Sequence, residues 1–220
     1  MIFPGALQLQ IRNEELWLLP ARAIYWPAAN TLLIADMHIG KAAAFRARHI
    51  PIPDGSMHDD FERLSGLLHV TGATTLAVLG DWIHSALGCT PAVLAAAQAW
   101  RASHPQLHIN WIRGNHDKAP AELLAQFDSE IHDQLLCGPF CFQHEPAEHP
   151  THFTFAGHIH PKHAIGGRGY PRTSLPCFHF TAKLAVLPAF GSFTGGHFIE
   201  PQPTSRIFLL AGDEVVEWQL

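Results

Sequence analysis

Four places in this 220-residue chain end a short apolar run in a glycine or alanine followed by residues that bind metals. They are Ala35-Asp36-Met37-His38, Gly80-Asp81, Gly114-Asn115-His116-Asp117 and Gly157-His158-Ile159-His160-Pro161. A fifth, Phe142-Gln143-His144-Glu145-Pro146, ends its run in histidine but lacks the glycine. Carboxylate, amide carbonyl and imidazole together suit a borderline divalent ion such as manganese, iron or zinc. A neighbouring glycine lets backbone pass close to whatever is bound. Read singly, each segment has a plain structural explanation: Gly-Asp is a common turn, Asn-His-Asp can cap a helix, and His-x-His arises by accident among 17 histidines. Their shared construction argues against accident. Three carboxylates or amides and four histidines are too many for one ion and fill two sites. Two ions ~3.5–4 Å apart are the usual device for phosphoryl transfer.

The elements that must position these groups follow from apolar patterning. Residues 31–35 form a short buried-strand run, and alternation along an extended chain puts Asp36 and His38 on one side. Residues 75–79 and 107–112 read the same way, closed by Gly80-Asp81 and by the Arg113-Gly114-Asn115-His116-Asp117 segment. Earlier, 7–11 and 16–19 read as two alternating strands, with 20–27 a connection. Helices are expected over 41–48, from a cap at Asp54 or Ser56 through Phe61, Leu64, Leu67 and Leu68, over 92–100 after Pro91, and over 121–127. After that, 140–143, 153–156, 183–187 and 207–210 read as strands with little helix between, and 166–176 as a loop. Strand–helix alternation followed by successive strands predicts a mixed α/β (α+β) fold. With no repeat or linker, residues 1–220 form one expected domain.

Composition bounds the rest. Hydrophobic residues make up 47% and charged residues 15%, as expected of a folded core. No apolar run has the length of a bilayer span and no secretory leader is evident, so the expected compartment is cytoplasmic, without membrane attachment. Cys89, Cys137, Cys141 and Cys177 have no Cys-x-x-Cys spacing and read as small hydrophobes.

The order Asp-x-His, Gly-Asp, Gly-Asn-His-Asp, His, Gly-His-x-His over residues 36 to 160 resembles the calcineurin-like binuclear metallophosphoesterases. Longer matches extend the likeness to the bacterial ligase-associated DNA damage response endonuclease branch, over nearly the whole chain. These are Asp36-Met37-His38-Ile39-Gly40-Lys41-Ala42, His144-Glu145-Pro146, Gly157-His158-Ile159-His160-Pro161 and Pro188-Ala189-Phe190-Gly191-Ser192-Phe193-Thr194-Gly195-Gly196. The resemblance implies a β-sandwich of two mixed sheets flanked by helices in four αββα layers. It implies two divalent ions, manganese foremost, with iron or zinc as alternatives. Asp36, His38 and His160 would hold one, Asn115, His144 and His158 the other, with Asp81 bridging. His116 would face the scissile phosphate and Asp117 would orient it. The chain departs from the wider pattern at Trp82-Ile83-His84, where His84 is either hydrogen-bonded to a ligand or a mere neighbour. It departs again at His144, which follows Gln143 where relatives carry glycine.

The implied activity is manganese-dependent endonucleolytic hydrolysis of DNA, single strands preferred, by water activated between the metals. The branch is associated in repair with a DNA ligase, a helicase and an exonuclease. Net charge −5 argues against a generally basic nucleic-acid binder, yet Lys41, Arg46, Arg48, Arg113, Lys118, Lys162, Arg168 and Arg172 cluster in or after the motif loops. Such a locally positive face suits a phosphate backbone, with Lys41, His84, Arg113, Arg168 and Arg172 as candidate contacts and Tyr170 placed to stack on a base. Ordinary solvated charge is the plainer account. Two other function classes remain: a small-molecule or cyclic-nucleotide phosphoesterase with the same metals behind a narrower mouth, and a non-catalytic metal-binding repair scaffold.

Overall fold

The computed structural model describes residues 3–52, 55–117, 124–166 and 173–219. The Asp54 cap, the start of the 121–127 helix, and Lys118, Arg168, Tyr170 and Arg172 lie outside them.

The first mixed sheet runs in chain order: β1 (Leu7–Ile11), β2 (Glu14–Leu19), β3 (Ala23–Trp26), β4 (Thr31–Ile34), β5 (Thr75–Leu79), β6 (His108–Ile112) and β7 (Glu130–His132). The first four strands pair antiparallel; β4 to β7 are parallel. The second mixed sheet holds β8 (Leu135–Cys137), β9 (Phe140–Phe142), β10 (Phe153–Ala156), β11 (Pro161–Ile165), β12 (Thr173–Phe180), β13 (Leu184–Val186), β14 (His197–Phe198), β15 (Arg206–Ala211) and β16 (Glu214–Trp218). Among the described residues three α-helices, α1 (Lys41–Ala47), α2 (Ser56–Thr71) and α3 (Pro91–Ser103), pack on the first sheet.

Why β4 is apolar on both sides is now clear. Leu32 and Ile34 pack with Phe61, Leu64, Val93 and Trp100 of the helices. Leu33 and Ala35 face Phe140, Phe142, Phe155 and Phe180 of the second sheet. A strand covered on both faces reads as a continuous apolar run. All three α-helices bury residues in that first cluster. The second sheet carries a further small cluster of Cys177, Ile207 and Leu209, and the two mixed sheets with their helices make the sandwich that the resemblance implies.

Three local expectations are corrected. Residues 20–27 are not a connection: Ala23, Ile24, Tyr25 and Trp26 form the fully buried β3, and the prolines that suggested a loop, Pro20 and Pro27, stand just outside it. The 166–176 loop ends early, because β12 begins at Thr173 and pairs Pro176 with Lys162. At the start of α2 the cap position belongs to Gly55, with no side-chain cap; Ser56 is the first helical residue. Among the described residues no helix is long and apolar enough to cross a membrane.

Candidate metal centre

The ligand segments meet because hydrogen bonding between β4 and β5 continues past both strand ends. Asp36 N donates to Gly80 O (3.1 Å), His38 N to Asp81 O (2.9 Å), Ile39 N to Trp82 O (2.7 Å), and His84 N back to Ile39 O (3.0 Å). This lacing holds Asp36 and His38 against Asp81. From the second sheet, His158 N donates to both Asp36 oxygens (3.2 and 2.9 Å), and Gly157 N to His144 O (3.1 Å).

The backbone is strained where the ligands sit. Asp36, His38, Asp81, His158 and His160 all have positive φ, between 47° and 74°. Left-handed backbone costs an L-residue roughly 1–2 kcal/mol, and such conformations gather at functional sites. Glycine allows the close approach: a Cβ on Gly80, itself at φ +82°, would lie 2.1 Å from His144 Nδ1, and one on Gly114 2.2 Å from Asp81 Oδ1 and 2.3 Å from Asp81 N. Gly114→Ala must therefore push backbone away from Asp81. Misplacement on the ångström scale costs roughly 100-fold in turnover, so that loss is expected, with the variant still folded by its melting curve.

Two groups of donors result. In one, His160 Nε2 lies 3.5 Å from Asp36 Oδ1 and 3.4 Å from His38 Nε2. In the other, His144 Nε2 lies 2.9 Å from Asn115 Oδ1 and 3.0 Å from His158 Nδ1; Asn115 Oδ1 and His158 Nδ1 are 3.1 Å apart. Asp81 Oδ2 stands between the groups, 3.6 Å from His144 Nε2 and 3.9 Å from His38 Nε2. Asp36, His38 and His160 can hold one metal ion, and Asp81, His144 and His158 another. A third grouping, His38 with His84 and His116, shares His38.

The chemistry of the donor set fits divalent cations. His144 Nδ1 is 3.1 Å from Leu79 O and donates to it, leaving Nε2 with a lone pair that faces the amide oxygen of Asn115. An imidazole lone pair and an amide oxygen turned to one point are a donor pair that suits a divalent cation. Asp36 and Asp81 are 0% and 2% exposed, and their ion-pair partners among the described residues are histidines alone. Burial pushes the Asp36 carboxyl up, against the His160 contact and the fields of His160 and His144. His38 is pushed down to about 2, first by burial, then by Lys41 and the His160, His84 and His116 rings. Neutral imidazole is the form that binds metal, and buried carboxylates are stable when paired or coordinated.

The remaining predicted residues fall less uniformly. His116 sits beside the metal groups: its amide donates to Asp81 Oδ1 (2.8 Å) and its Nδ1 to His84 O (3.0 Å). That orients Nε2 as the free nitrogen. Asp117 does not orient the ring. Its oxygens accept from Ile83 N (2.9 Å), Trp111 Nε1 (3.0 Å) and Gly114 N (2.7 Å), so it pins the His116 loop to the Asp81 loop. His84 lies 3.4 Å, Nδ1 to Nδ1, from His38 and stacks on His116 with centroids 5.0 Å apart. Lys41 opens α1; burial lowers its pKa, while Asp36 and Asp81 act to raise it, so its ammonium feels both carboxylates. Arg113 pairs with Asp133 at 3.2 Å on the surface.

Residues 188–194 brace the centre. Phe190 N and Gly191 N donate to Ala35 O (2.7 Å) and Asp36 O (3.2 Å). Asp60, 4% exposed, accepts from Ser192 N at 3.1 Å and from Arg63 Nη2 at 2.8 Å, while Arg63 also donates to Phe190 O and Arg22 to the carbonyls of Ala189 and Gly191 at 3.3 Å. The sequence reading passed over Asp60, although it shares the apolar stripe of Leu64 and Leu68. Removing one partner of a buried ion pair costs about 3–5 kcal/mol, and Arg63 is partly exposed. Asp60→Ala is thus expected to cost about 2–3 kcal/mol, a melting-temperature drop of roughly 5–10 °C, with weaker metal binding measurable by calorimetry.

An open cleft of ≈ 650 Å³ lies over the cluster, lined by Asp81, Asn115, His116, His158, His160 and Phe198 among others.

No family model matches the chain, and no curated protein does. Among solved structures, it is similar to Pseudomonas putida nuclease MPE at 38% identity with TM-score 0.81, over 97% of this chain and 100% of that one. The phosphoesterase Yfce from E. coli aligns at 15% identity with TM-score 0.46, over 86% of this chain and 97% of that one.

Proposed function

The chain belongs to the metallophosphoesterase family of that nuclease, and from this premise we propose that it is a divalent-metal-dependent endonuclease that cuts single-stranded DNA. The observation that carries the reading is the pair of donor groups with Asp81 Oδ2 between them. Asp36, His38 and His160 would hold one ion, Asn115, His144 and His158 the other, and Asp81 would serve both. Two divalent ions bound there, manganese in the first place, would supply charge to neutralise the phosphodiester and to lower the pKa of the attacking water.

The protein's own groups do the rest. His116, with Nδ1–H committed to the His84 carbonyl, presents Nε2, which in the imidazolium form carries the proton that the leaving oxygen takes. Asp117 keeps the Asn115–His116 loop registered against Asp81. His84 steadies the His38 and His116 rings, and Lys41 adds positive charge at the metal groups. Work alongside a DNA ligase, helicase and exonuclease in repair rests on the resemblance alone.

The cleft over the metal groups is open to solvent, so it admits a polymer as well as a small ester, and the substrate assay separates the two. The test is nicking of single-stranded circular DNA with manganese, beside its double-stranded counterpart and bis-p-nitrophenyl phosphate. Manganese-dependent nicking of the single strand, absent with EDTA, is expected. Turnover of the ester with no nicking of DNA points to a small-molecule phosphoesterase, and turnover of neither points to a scaffold.

A further inference from the structure

Phe198 stands apart from the other aromatic residues. It is 61% exposed, the most exposed large hydrophobic among the described residues, while the phenylalanines of the sheets are buried. A scattered exposed hydrophobic needs no explanation, but this one lines the cleft beside His116, His158 and His160. Its position is built. β14 pairs parallel with β11, in a register that sets Phe198 directly opposite Lys162. The Lys162 ammonium lies 4.3 Å from the ring centroid. Backbone bonds on either side, His197 N to His160 O (3.1 Å) and Ile199 N to Lys162 O (3.1 Å), tie the pair to a candidate metal ligand.

We propose that Phe198 and Lys162 form a nucleotide subsite beside the metal centre: the ring stacks on an unpaired base next to the scissile bond, and the ammonium contacts that nucleotide's phosphate. An aromatic face with an adjacent cation is how single strands are gripped without reading sequence. A paired base keeps its faces inside the helix, so the subsite selects single-stranded over duplex DNA. This rests on the nuclease reading and adds the element that would make it strand-selective.

The experiment compares wild type, Phe198→Ala, Phe198→Trp and Lys162→Ala on a fluorescent oligothymidylate, with anisotropy for binding, cleavage for turnover, and bis-p-nitrophenyl phosphate as the small ester. Losing one stacked base weakens binding and raises KM roughly tenfold. Phe198→Ala should show that on the oligonucleotide, keep ester turnover within about twofold, and leave the salt dependence of binding unchanged. Phe198→Trp should restore affinity. Lys162→Ala should instead flatten the logarithmic salt slope by about 0.7. If wild type binds and cuts the oligonucleotide and Phe198→Ala does so equally well, the subsite is refuted while the nuclease stands. Equal losses on oligonucleotide and ester also refute it, as does a change in oligomeric state with binding intact. If wild type turns over the ester but neither binds nor cuts the oligonucleotide, both readings fall together.

Discussion

Replacing Asp81 with alanine is expected to empty both metal sites and reduce turnover on the order of 10³–10⁴-fold, equivalent to about 4–5.5 kcal/mol of barrier. The expectation follows from position. One carboxylate oxygen lies within 3.9 Å of a nitrogen in each donor group, and the other accepts from the His116 amide. A ligand belonging to one site would cost one ion when removed; a shared one costs both and loosens the loop that carries Asn115 and His116. Asp81→Asn keeps an oxygen for the His116 amide but loses the charge, so it should retain the fold and still lose metal. Metal content by mass spectrometry checks this, and one full site remaining in Asp81→Ala would remove the bridging assignment.

His116→Ala should behave differently: both ions stay, yet DNA cleavage falls about 10²–10⁴-fold, the range for a positioned general acid. The side chain lies outside the two donor groups that Asp81 joins, and its Nδ1 is spent on the His84 carbonyl. A p-nitrophenolate leaving group hardly needs a proton, so the deficit on bis-p-nitrophenyl phosphate should be far smaller. Equal deficits on both substrates would mean that His116 works on the attacking side or on binding. Asp117→Asn gives a useful contrast. That carboxylate binds Ile83 N, Trp111 Nε1 and Gly114 N instead of the His116 ring, so its loss should depress both substrates alike.

Most of the candidate centre was legible because its candidate ligands end strands. Asp36, Asp81 and Asn115 each follow a buried run of the first sheet, and a strand covered on both faces shows itself as unbroken apolar sequence. His144, His158 and His160 follow from the same grammar in the second sheet. What stayed illegible depends on contacts between residues far apart in the chain. Nothing local ties Arg22, Asp60 and Arg63 to residues 188–194, since the contacts span 127 to 169 positions. Pro20 and Pro27 hid β3, because prolines outside a strand look like those of a loop. The role of Asp117 came from likeness to other proteins, and here its oxygens are already occupied by two amides and an indole. Phe198 carried no local signal: a two-residue strand matters only through its register with Lys162.

Anomalous diffraction from manganese-soaked crystals tests the central claim most directly. Two peaks ~3.5–4 Å apart are predicted, one among Asp36, His38 and His160, the other among Asn115, His144 and His158, with Asp81 touching both. A single peak, or density at His38, His84 and His116 in place of the pair, would contradict the account.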